Sequence, residues 1–212
     1  MDTNAGLAMR SRFRGYLPVV IDIETGGFEP ESHALLELAA VTLEFDGGRL
    51  TAKESHRWAI APHPDTKVEA ASLQVTGIDL DDPARNAVPE EKAVRELFRL
   101  VRREIKHARC QRAILTAHNA HFDHAFLRTA AARNGVKRDP FHPFSVMDTV
   151  SLAGVAFGHT VLREACTRAG IAFDPERAHS AAYDAQMTAM LFCAIVNAWP
   201  TPDGPVIKSL DP

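Results

Sequence analysis

The chain has few cysteines, no long hydrophobic run and almost no net charge. Its three cysteines form no Cys-x-x-Cys pair, which argues against both a zinc knuckle and a disulfide framework. The longest apolar runs, such as residues 17–23, are too short to cross a bilayer, and residues 1–16 lack the apolar segment and cleavage site of a secretory signal. We therefore expect a cytoplasmic protein that does not enter a membrane.

A net charge of −3 does not exclude a nucleic-acid partner, because acidic residues in one place and basic residues in another cancel in the total. The 46% hydrophobic and 24% charged residues are typical of a soluble globular protein. No internal repeat is visible, and 212 residues suit one domain with ample core. We predict a single domain over residues 1–212, with an ordered core at about residues 10–199 and flexible segments at 1–9 and 200–212.

The hydrophobic pattern predicts three strands followed by alternating helices and strands. The β-branched run at residues 17–23 is typical of a buried central strand, and the segments on either side of Asp46-Gly47-Gly48 read as a hairpin. Beyond the hairpin strands at 37–45 and 56–60, the pattern predicts strands at 113–117 and 144–147 and helices at 89–107, 122–134, 148–155, 160–169 and 181–199. This order favours an α/β fold with a mixed five-stranded sheet flanked by helices.

Two carboxylates stand at the end of the first predicted strand. Asp22 and Glu24 are two residues apart, so their side chains project from the same face of the sheet. Carboxylates at the end of a buried strand are costly unless they are paired or bind a cation. The pair by itself leaves two interpretations open, a metal site or a solvated strand end.

Two further segments place acidic residues at helix starts. Asp123 falls in the first turn of a predicted helix, where the helix dipole favours a carboxylate. His179 and Asp184 are five residues apart and cannot share a helix face, so His179 is expected in the loop before the last helix. Each segment alone is also typical of an ordinary helix start or polar loop.

Together these segments offer four carboxylates and one imidazole. Oxygen ligands favour Mg²⁺ or Mn²⁺ over zinc, and two such ions about 3.5–4 Å apart suit phosphodiester hydrolysis. An imidazole with an ordinary pKa near 6.5 is a suitable base for the attacking water. The combination therefore predicts a metal-dependent nuclease.

The same residues resemble a known superfamily. Asp22-Ile23-Glu24-Thr25, Asn119-x-x-Phe122-Asp123 and His179-x-x-x-x-Asp184 are similar to the three exonuclease motifs of the DEDDh superfamily, which has a ribonuclease H-like fold. The connecting segments resemble the ribonuclease T family over about residues 10–199. These segments are residues 12–16, 19–22, 76–79, 117–119, 137–144 and 178–181.

The resemblance implies a 3′-to-5′ exoribonuclease that trims single-stranded 3′ ends of tRNA and other stable RNAs and releases nucleoside 5′-monophosphates. It implies that Asp22, Glu24 and Asp184 hold the Mg²⁺ ion that carries the nucleophilic water, with Mn²⁺ as a substitute. Asp22 would also contact a second ion, supported by Asp123, and His179 would accept the proton.

Three phenylalanines are candidates for contacts with the substrate. Phe28, Phe122 and Phe144 could meet around the terminal bases and stack on them, although phenylalanines are more often core residues. By alignment with the family, Ala71 and Val75 stand where a glutamate and a further phenylalanine are expected. The preferred 3′-terminal base therefore stays open.

Basic residues cluster between Lys92 and Arg112, where eight lysines and arginines stand against two glutamates. Such a run is either a solvated helix face or a surface that follows a phosphate backbone. The residues that we expect to contact phosphates are Arg12, Arg14, Lys106, Arg112 and Lys137. The family resemblance implies that this surface serves the partner subunit of a homodimer.

Two other functions remain open at this point. A DEDDh DNA exonuclease, such as a polymerase proofreading subunit, would use the same five site residues on DNA. A nucleic-acid-binding module with an inactive site is a further alternative. The complete set of five residues argues against that module, since an inactive site is free to lose them.

Overall fold

The computed structural model describes residues 3–199, which form one mixed β-sheet covered by helices. The strands are β1 (Tyr16–Thr25), β2 (Leu35–Asp46), β3 (Arg49–Ala61), β4 (Val88–Pro89), β5 (Arg112–Ala117) and β6 (Phe141–Asp148). The helices are α1 (Thr3–Arg12), α2 (Ala70–Thr76), α3 (Glu90–His107), α4 (Ala120–Arg133), α5 (Thr149–Phe157), α6 (Leu162–Arg168) and α7 (Ala181–Ala198). In the sheet the strand order is β4-β3-β2-β1-β5-β6.

Strand β1 is central because its apolar run is buried on both faces. Val19, Val20 and Ile21 are all fully buried, and branched side chains of this kind favour the extended backbone. β1 pairs antiparallel with β2 and parallel with β5. Gly47 and Gly48 join β2 to β3 with φ angles of 53° and 81°, which glycine adopts without steric cost.

The helices bury one face each against this sheet. In α3 the residues Val94, Leu97 and Val101 are fully buried at the spacing of one helical face. α7 packs against β1, β2 and β3, and it also contributes to a smaller apolar cluster with α5 and α6. The start of α7 is thereby fixed beside the end of β1.

The α/β class with a mixed sheet and flanking helices is confirmed, but the expected number of strands is wrong. Within residues 3–199 the sheet has six strands, because the two residues Val88 and Pro89 pair in parallel with Ile60 and Ala61. A two-residue strand carries no hydrophobic alternation that a sequence pattern could reveal. The unexpected helix α2 has no buried residue, which explains why apolar periodicity did not predict it.

Of the expected flexible segment 1–9, residues 1–2 lie outside the described residues. Residues 3–9 belong to α1, where Met9 is only 2% exposed. The expected flexible segment 200–212 lies outside the described residues. Across residues 3–199, none of the helices combines the length and apolar character that crossing a membrane requires.

Candidate active site

Three of the predicted acidic residues converge at one end of the sheet. Asp22 and Glu24 lie near the end of β1, and Asp184 lies in the first turn of α7. One carboxylate oxygen from each of the three residues lies within 4.8 Å of the other two. The packing of α7 across β1 brings the third carboxylate to the two that the strand supplies.

His179 lies in the loop before α7, as the spacing predicted. Its backbone has a left-handed conformation with φ 63°, and its amide donates a hydrogen bond to Asp184 Oδ2 at 3.0 Å. The imidazole itself is exposed. The other oxygen of Asp184, Oδ1, is buried and has no hydrogen-bond partner among the described residues, so it is available to a cation.

Asp123 stands beside this group without belonging to the tight cluster. It is 4% exposed in the first turn of α4, and the nearby backbone groups of Asp123 and Ile23 lower the pKa of its carboxyl. Its pKa is nevertheless raised well above the ordinary value, first by burial and then by the charges of Asp148 and Glu24. The fourth carboxylate therefore shares the electrostatic environment of the other three.

The pKa values of the cluster show that its negative charges are not compensated by the protein. Burial, followed by the charges of Asp123, Glu24 and Asp184, raises the pKa of Asp22 well above its ordinary value. Burial and then Asp184 raise the pKa of Glu24 to about 8, and burial also raises the pKa of Asp184. A divalent cation would remove this penalty, so the donor set fits such an ion.

Sequence reasoning missed two acidic residues near the site. Glu37 is 4% exposed, faces Glu24 across the β1–β2 pair and forms an ion pair with Arg57. It also raises the pKa values of Asp22 and Glu24. The only sequence signal for Glu37 was its position in a strand with alternating side chains. Such a pattern does not reveal which residue of β1 lies opposite Glu37.

The second missed residue is Asp148, the last residue of β6. Its carboxylate is hydrogen-bonded to the starts of both α4 and α5. Its Oδ1 accepts hydrogen bonds from the amides of Asn119 (3.2 Å) and Val150 (2.9 Å). Its Oδ2 accepts one from the amide of Ala120 at 3.2 Å. These bonds cap α4 and α5 and fix the turn of α4 that carries Asp123. An aspartate at the start of a predicted helix, here 148–155, is a capping signal in the sequence.

The structure brings together two of the three candidate aromatic residues. Phe28 is 78% exposed in the loop after β1, and its ring centroid lies 6.5 Å from that of Phe122 in an edge-on arrangement. Phe122 in turn contacts the buried ring of Phe126 at 4.9 Å. The exposed Phe28 and the half-buried Phe122 thus form an aromatic pair that packs on the buried Phe126.

Among the described residues, Phe144 makes no ring contact with this pair, and its contact with the terminal bases stays a prediction. It is 80% exposed, and its described ring contact is with His142 at 4.5 Å. It lies in a bulge of β6 between Phe141 and Val146, opposite Ile114 of β5.

The candidate basic residues lie at the other end of the strands. Arg112 opens β5 beside Tyr16, which opens β1, and six residues of strand separate Tyr16 from Asp22, or about 20 Å. Lys106 lies in the last turn of α3, and Arg14 lies beside this edge because the Gly15 carbonyl accepts from the Gln111 amide at 2.7 Å. We name the exposed residues Arg14, Lys106, Arg112 and Lys137 the basic edge.

Arg12 differs from the basic edge because it contacts the end of α7. Its Nη2 donates to the carbonyl of Trp199 at 2.9 Å. Several arginines of α3 are likewise engaged, since Arg95 pairs with Glu91 at 2.7 Å and Arg103 with Glu104 at 2.9 Å. Part of the basic segment is therefore neutralised by local ion pairs.

Comparisons with known proteins agree with this geometry. Residues 19–192 match the family model of the RNase_T exonucleases. The chain is 52% identical to a ribonuclease T of Photorhabdus laumondii, covering 93% of this chain and 92% of the relative. It is 54% identical to a ribonuclease T of Marinobacter nauticus, covering 90% and 87%.

The fold also resembles solved structures of exonuclease I. The structure of the E. coli protein in complex with a dT13 oligonucleotide superposes with a TM-score of 0.64 at 19% identity. The match covers 85% of this chain but only 41% of that protein. The protein from Methylocaldum szegediense gives a TM-score of 0.66 at 16% identity, covering 88% and 42%. At this identity the likeness concerns the fold alone.

Proposed function

The chain belongs to the RNase_T exonuclease family and is a 3′-to-5′ exoribonuclease, and from that premise we propose that it trims the single-stranded 3′ ends of tRNA and other stable RNAs. The observation that carries the proposal is the convergence of Asp22, Glu24 and Asp184 within 4.8 Å. The buried, unpartnered Oδ1 of Asp184 adds a free ligand atom at the same place.

Divalent-metal dependence is general in this family, and the donor atoms decide the kind of ion. Asp22, Glu24, Asp184 and the neighbouring Asp123 offer only carboxylate oxygens, the ligands that Mg²⁺ and Mn²⁺ prefer. We propose that they hold two Mg²⁺ ions, with Mn²⁺ as a substitute. When bound, such ions supply an activated water and stabilise the leaving oxygen of an in-line displacement.

His179 is proposed as the base that takes the proton from the attacking water. His179 is exposed, so its imidazole is free to reach the substrate. The hydrogen bond from the His179 backbone amide to Asp184 Oδ2 keeps the loop beside the carboxylates. A positioned base of this kind contributes about 10²–10⁴-fold to the rate. The product is a nucleoside 5′-monophosphate released from the 3′ end.

The pair of Phe28 and Phe122 is proposed to hold the terminal bases. Aromatic stacking tolerates any base and is worth about 1–3 kcal/mol per base. Phe28 is exposed and edge-on to Phe122, so the pair offers a stacking surface at the end of β1 that carries the carboxylates.

RNA rather than DNA is proposed as the main substrate, because the relatives at 51–54% identity are ribonucleases T. The DNA alternative arises because exonuclease I has been solved with single-stranded DNA. To test this, matched RNA and DNA with 3′ overhangs are incubated with Mg²⁺, with and without EDTA, and the products are resolved to one nucleotide. We expect stepwise RNA shortening that stops near the duplex and is abolished by EDTA. A preference for DNA would contradict the RNA proposal, and binding without cleavage would contradict the enzymatic one.

A homodimer is proposed as the working form. The basic edge lies about 20 Å from Asp22 along β1, so a second copy could present its basic edge to this active site. Mixing Asp22→Asn protein with a variant reversed at Arg14 and Lys106 tests this arrangement. At low RNA concentration the mixture should be more active than the sum of the two separate proteins if the edge acts on the partner's site, because one site then has both intact parts. A mixture no more active than that sum would contradict the proposal.

We also propose a cytoplasmic location. Cys166 and Cys193 are buried free thiols, and reduced thiols of this kind suit a reducing compartment. Cell fractionation with a periplasmic or extracellular marker as reference checks this location.

A further inference from the structure

The loop that carries Phe28 is joined by backbone hydrogen bonds to the segment that leads into α2. We call residues 26–34 the Phe28 loop. The Ala34 amide donates to Lys67 O at 3.0 Å and the Lys67 amide donates to Ser32 O at 2.9 Å. The amide of Glu69 donates to the Gly26 carbonyl at 2.8 Å. The loop and residues 67–69 therefore form one hydrogen-bonded unit.

A buried histidine cross-links this unit. His33 is 3% exposed, its Nδ1 lies 3.0 Å from the amide of Glu29, and its Nε2 lies 3.0 Å from Glu69 Oε1. With Nδ1 accepting from the Glu29 amide, we assign Nε2 as the donor to the Glu69 carboxylate. One side chain thus joins the Phe28 loop to the start of α2.

The His33 ring also lies directly against the backbone before Phe28. A Cβ atom at Gly27 would overlap the imidazole, and one at Gly26 would come within 3.0 Å of the Lys67 carbonyl. Both glycines permit this close approach. A ring that fills the space beside residue 27 restricts the backbone from which Phe28 projects.

A second anchor holds the far side of the loop. Arg133 Nη1 donates to the carbonyl of Pro30 at 3.3 Å. Arg133 itself pairs with the buried Glu90 at 2.7 Å. The Phe28 loop is thereby fixed to α3 and α4 on one side, and the link from His33 to Glu69 fixes it on the other.

We propose that His33 and Glu69 are positioning residues that hold Phe28 in place for the terminal base. The inference rests on the proposed function, in which Phe28 stacks on substrate. A clamped loop has already lost the conformational freedom that a free loop would lose on binding. Since the carboxylates come from β1, α4 and α7, loosening this clamp should weaken substrate binding and leave the chemical step unchanged.

Glu69→Ala is the first test, because Glu69 is exposed and its removal leaves the core intact. We expect KM for RNA with a single-stranded 3′ end to rise about 3–10-fold, because binding must then order the Phe28 side chain. The value of kcat should stay within about twofold of the wild type. Phe28→Ala sets the upper limit, a rise of about 5–150-fold that corresponds to one stacked base.

Two matched variants separate the hydrogen bond from the charge. Glu69→Gln keeps an oxygen that accepts from His33 Nε2, so its KM should stay near that of the wild type. Glu31→Gln removes a charge from an exposed position of the same loop and should also leave KM unchanged. If Glu69→Gln is as defective as Glu69→Ala, the proposed hydrogen-bond role is wrong.

Gly27 and His33 provide an independent test of the packing. Gly27→Ala alone should raise KM, because its methyl group displaces the His33 ring, whereas in a His33→Ala background the same change should add little. Equal effects in both backgrounds would contradict the proposed packing role.

Hydrogen exchange measures the clamp without any activity. Amides of residues 26–34 should exchange faster in Glu69→Ala than in the wild type without nucleic acid, and unchanged exchange would overturn the clamp. Wild-type trimming with an unaltered KM in Glu69→Ala would overturn the positioning role. A wild-type protein that does not trim RNA would instead contradict the proposed function, while the exchange result still decides the clamp.

Discussion

The two ends of the parallel strands carry opposite charges in different kinds of surroundings. At the end of β1, carboxylates from β1 and α7 meet in partly buried positions, and the buried carboxylate of Asp123 on α4 stands beside them. At the start of β1 and β5, the basic edge consists of exposed side chains on loops and on the ends of elements. Both ends combine residues that are distant in the chain, but only the acidic end holds its side chains in partly or fully buried positions.

This difference suits the ligands that we propose for the two ends. A small divalent cation requires several oxygens at fixed positions, so its ligands must come from elements locked by packing. A phosphate backbone is attracted by charge over several ångströms and needs less exact placement. The acidic end should therefore be sensitive to single substitutions, and the basic edge should respond gradually.

The largest effect is expected when one carboxylate of the acidic end is removed. Asp22→Asn or Asp184→Asn should lower trimming by at least about 10⁴-fold, because charge stabilisation worth several kcal/mol is lost from the transition state. Single-strand binding should stay largely intact. Steady-state trimming assays with a filter-binding measurement check both statements, with Asp65→Asn as the exposed control. Unchanged turnover in either site variant would remove that residue from the site.

His179→Ala tests the loop residue beside the carboxylates. Turnover should fall by about 10²–10⁴-fold if the imidazole is the base, while the affinity for RNA changes little. The measurement is single-turnover cleavage at saturating enzyme, and His63→Ala serves as the control histidine. A wild-type rate in His179→Ala would assign the proton transfer to another group.

Charge reversal at the basic edge should produce a smaller and salt-dependent effect. Arg14→Glu with Lys106→Glu should weaken RNA binding by about tenfold or more at moderate salt and lower the slope of log affinity against log salt by roughly one per lost phosphate contact. Arg163→Glu, on α6, is the control. Arg12 is left out because it donates to the Trp199 carbonyl. An unaltered salt slope would exclude the basic edge from binding.

The smallest expected effect concerns stability without metal. Glu24 has a pKa of about 8 against an ordinary 4.5, so the folded state opposes its ionisation. In EDTA the free energy of unfolding should therefore fall as the pH rises from about 4.5 to 8, and Mg²⁺ should reverse this loss. At pH 8 in EDTA, Asp22→Asn should be more stable than the wild type by on the order of 1 kcal/mol. Thermal unfolding checks this prediction, and a destabilised Asp22→Asn protein would contradict it.

Much of the fold was predictable from local patterns. The buried run of β1 and the apolar face of α3 have the periods of their elements, so both were predicted near their observed bounds. Helix α2 and strand β4 were not predicted, because α2 buries no side chain and β4 has two residues. Neither leaves a periodic signal.

The sequence predicted which residues belong to the site but not how they are arranged in space. The spacing of His179 and Asp184 correctly placed the histidine outside the helix, since five residues do not share a helical face. The bulge of β6 that carries Phe144 was not predicted, because nothing in that segment reveals it. Glu37 was missed because the register between β1 and β2 depends on how the strands pair.

The sequence by itself determined which chemistry the chain carries. Carboxylates after a buried strand and at two helix starts predict an oxygen-ligand metal site, and these choices depend on residue type and local spacing. The tertiary structure decided which residues share that site, which carboxylates raise one another's pKa values, and where Phe28 is held. These properties depend on atoms that are distant in the chain, and only the packing of α7, α4 and the Phe28 loop around β1 brings them within reach.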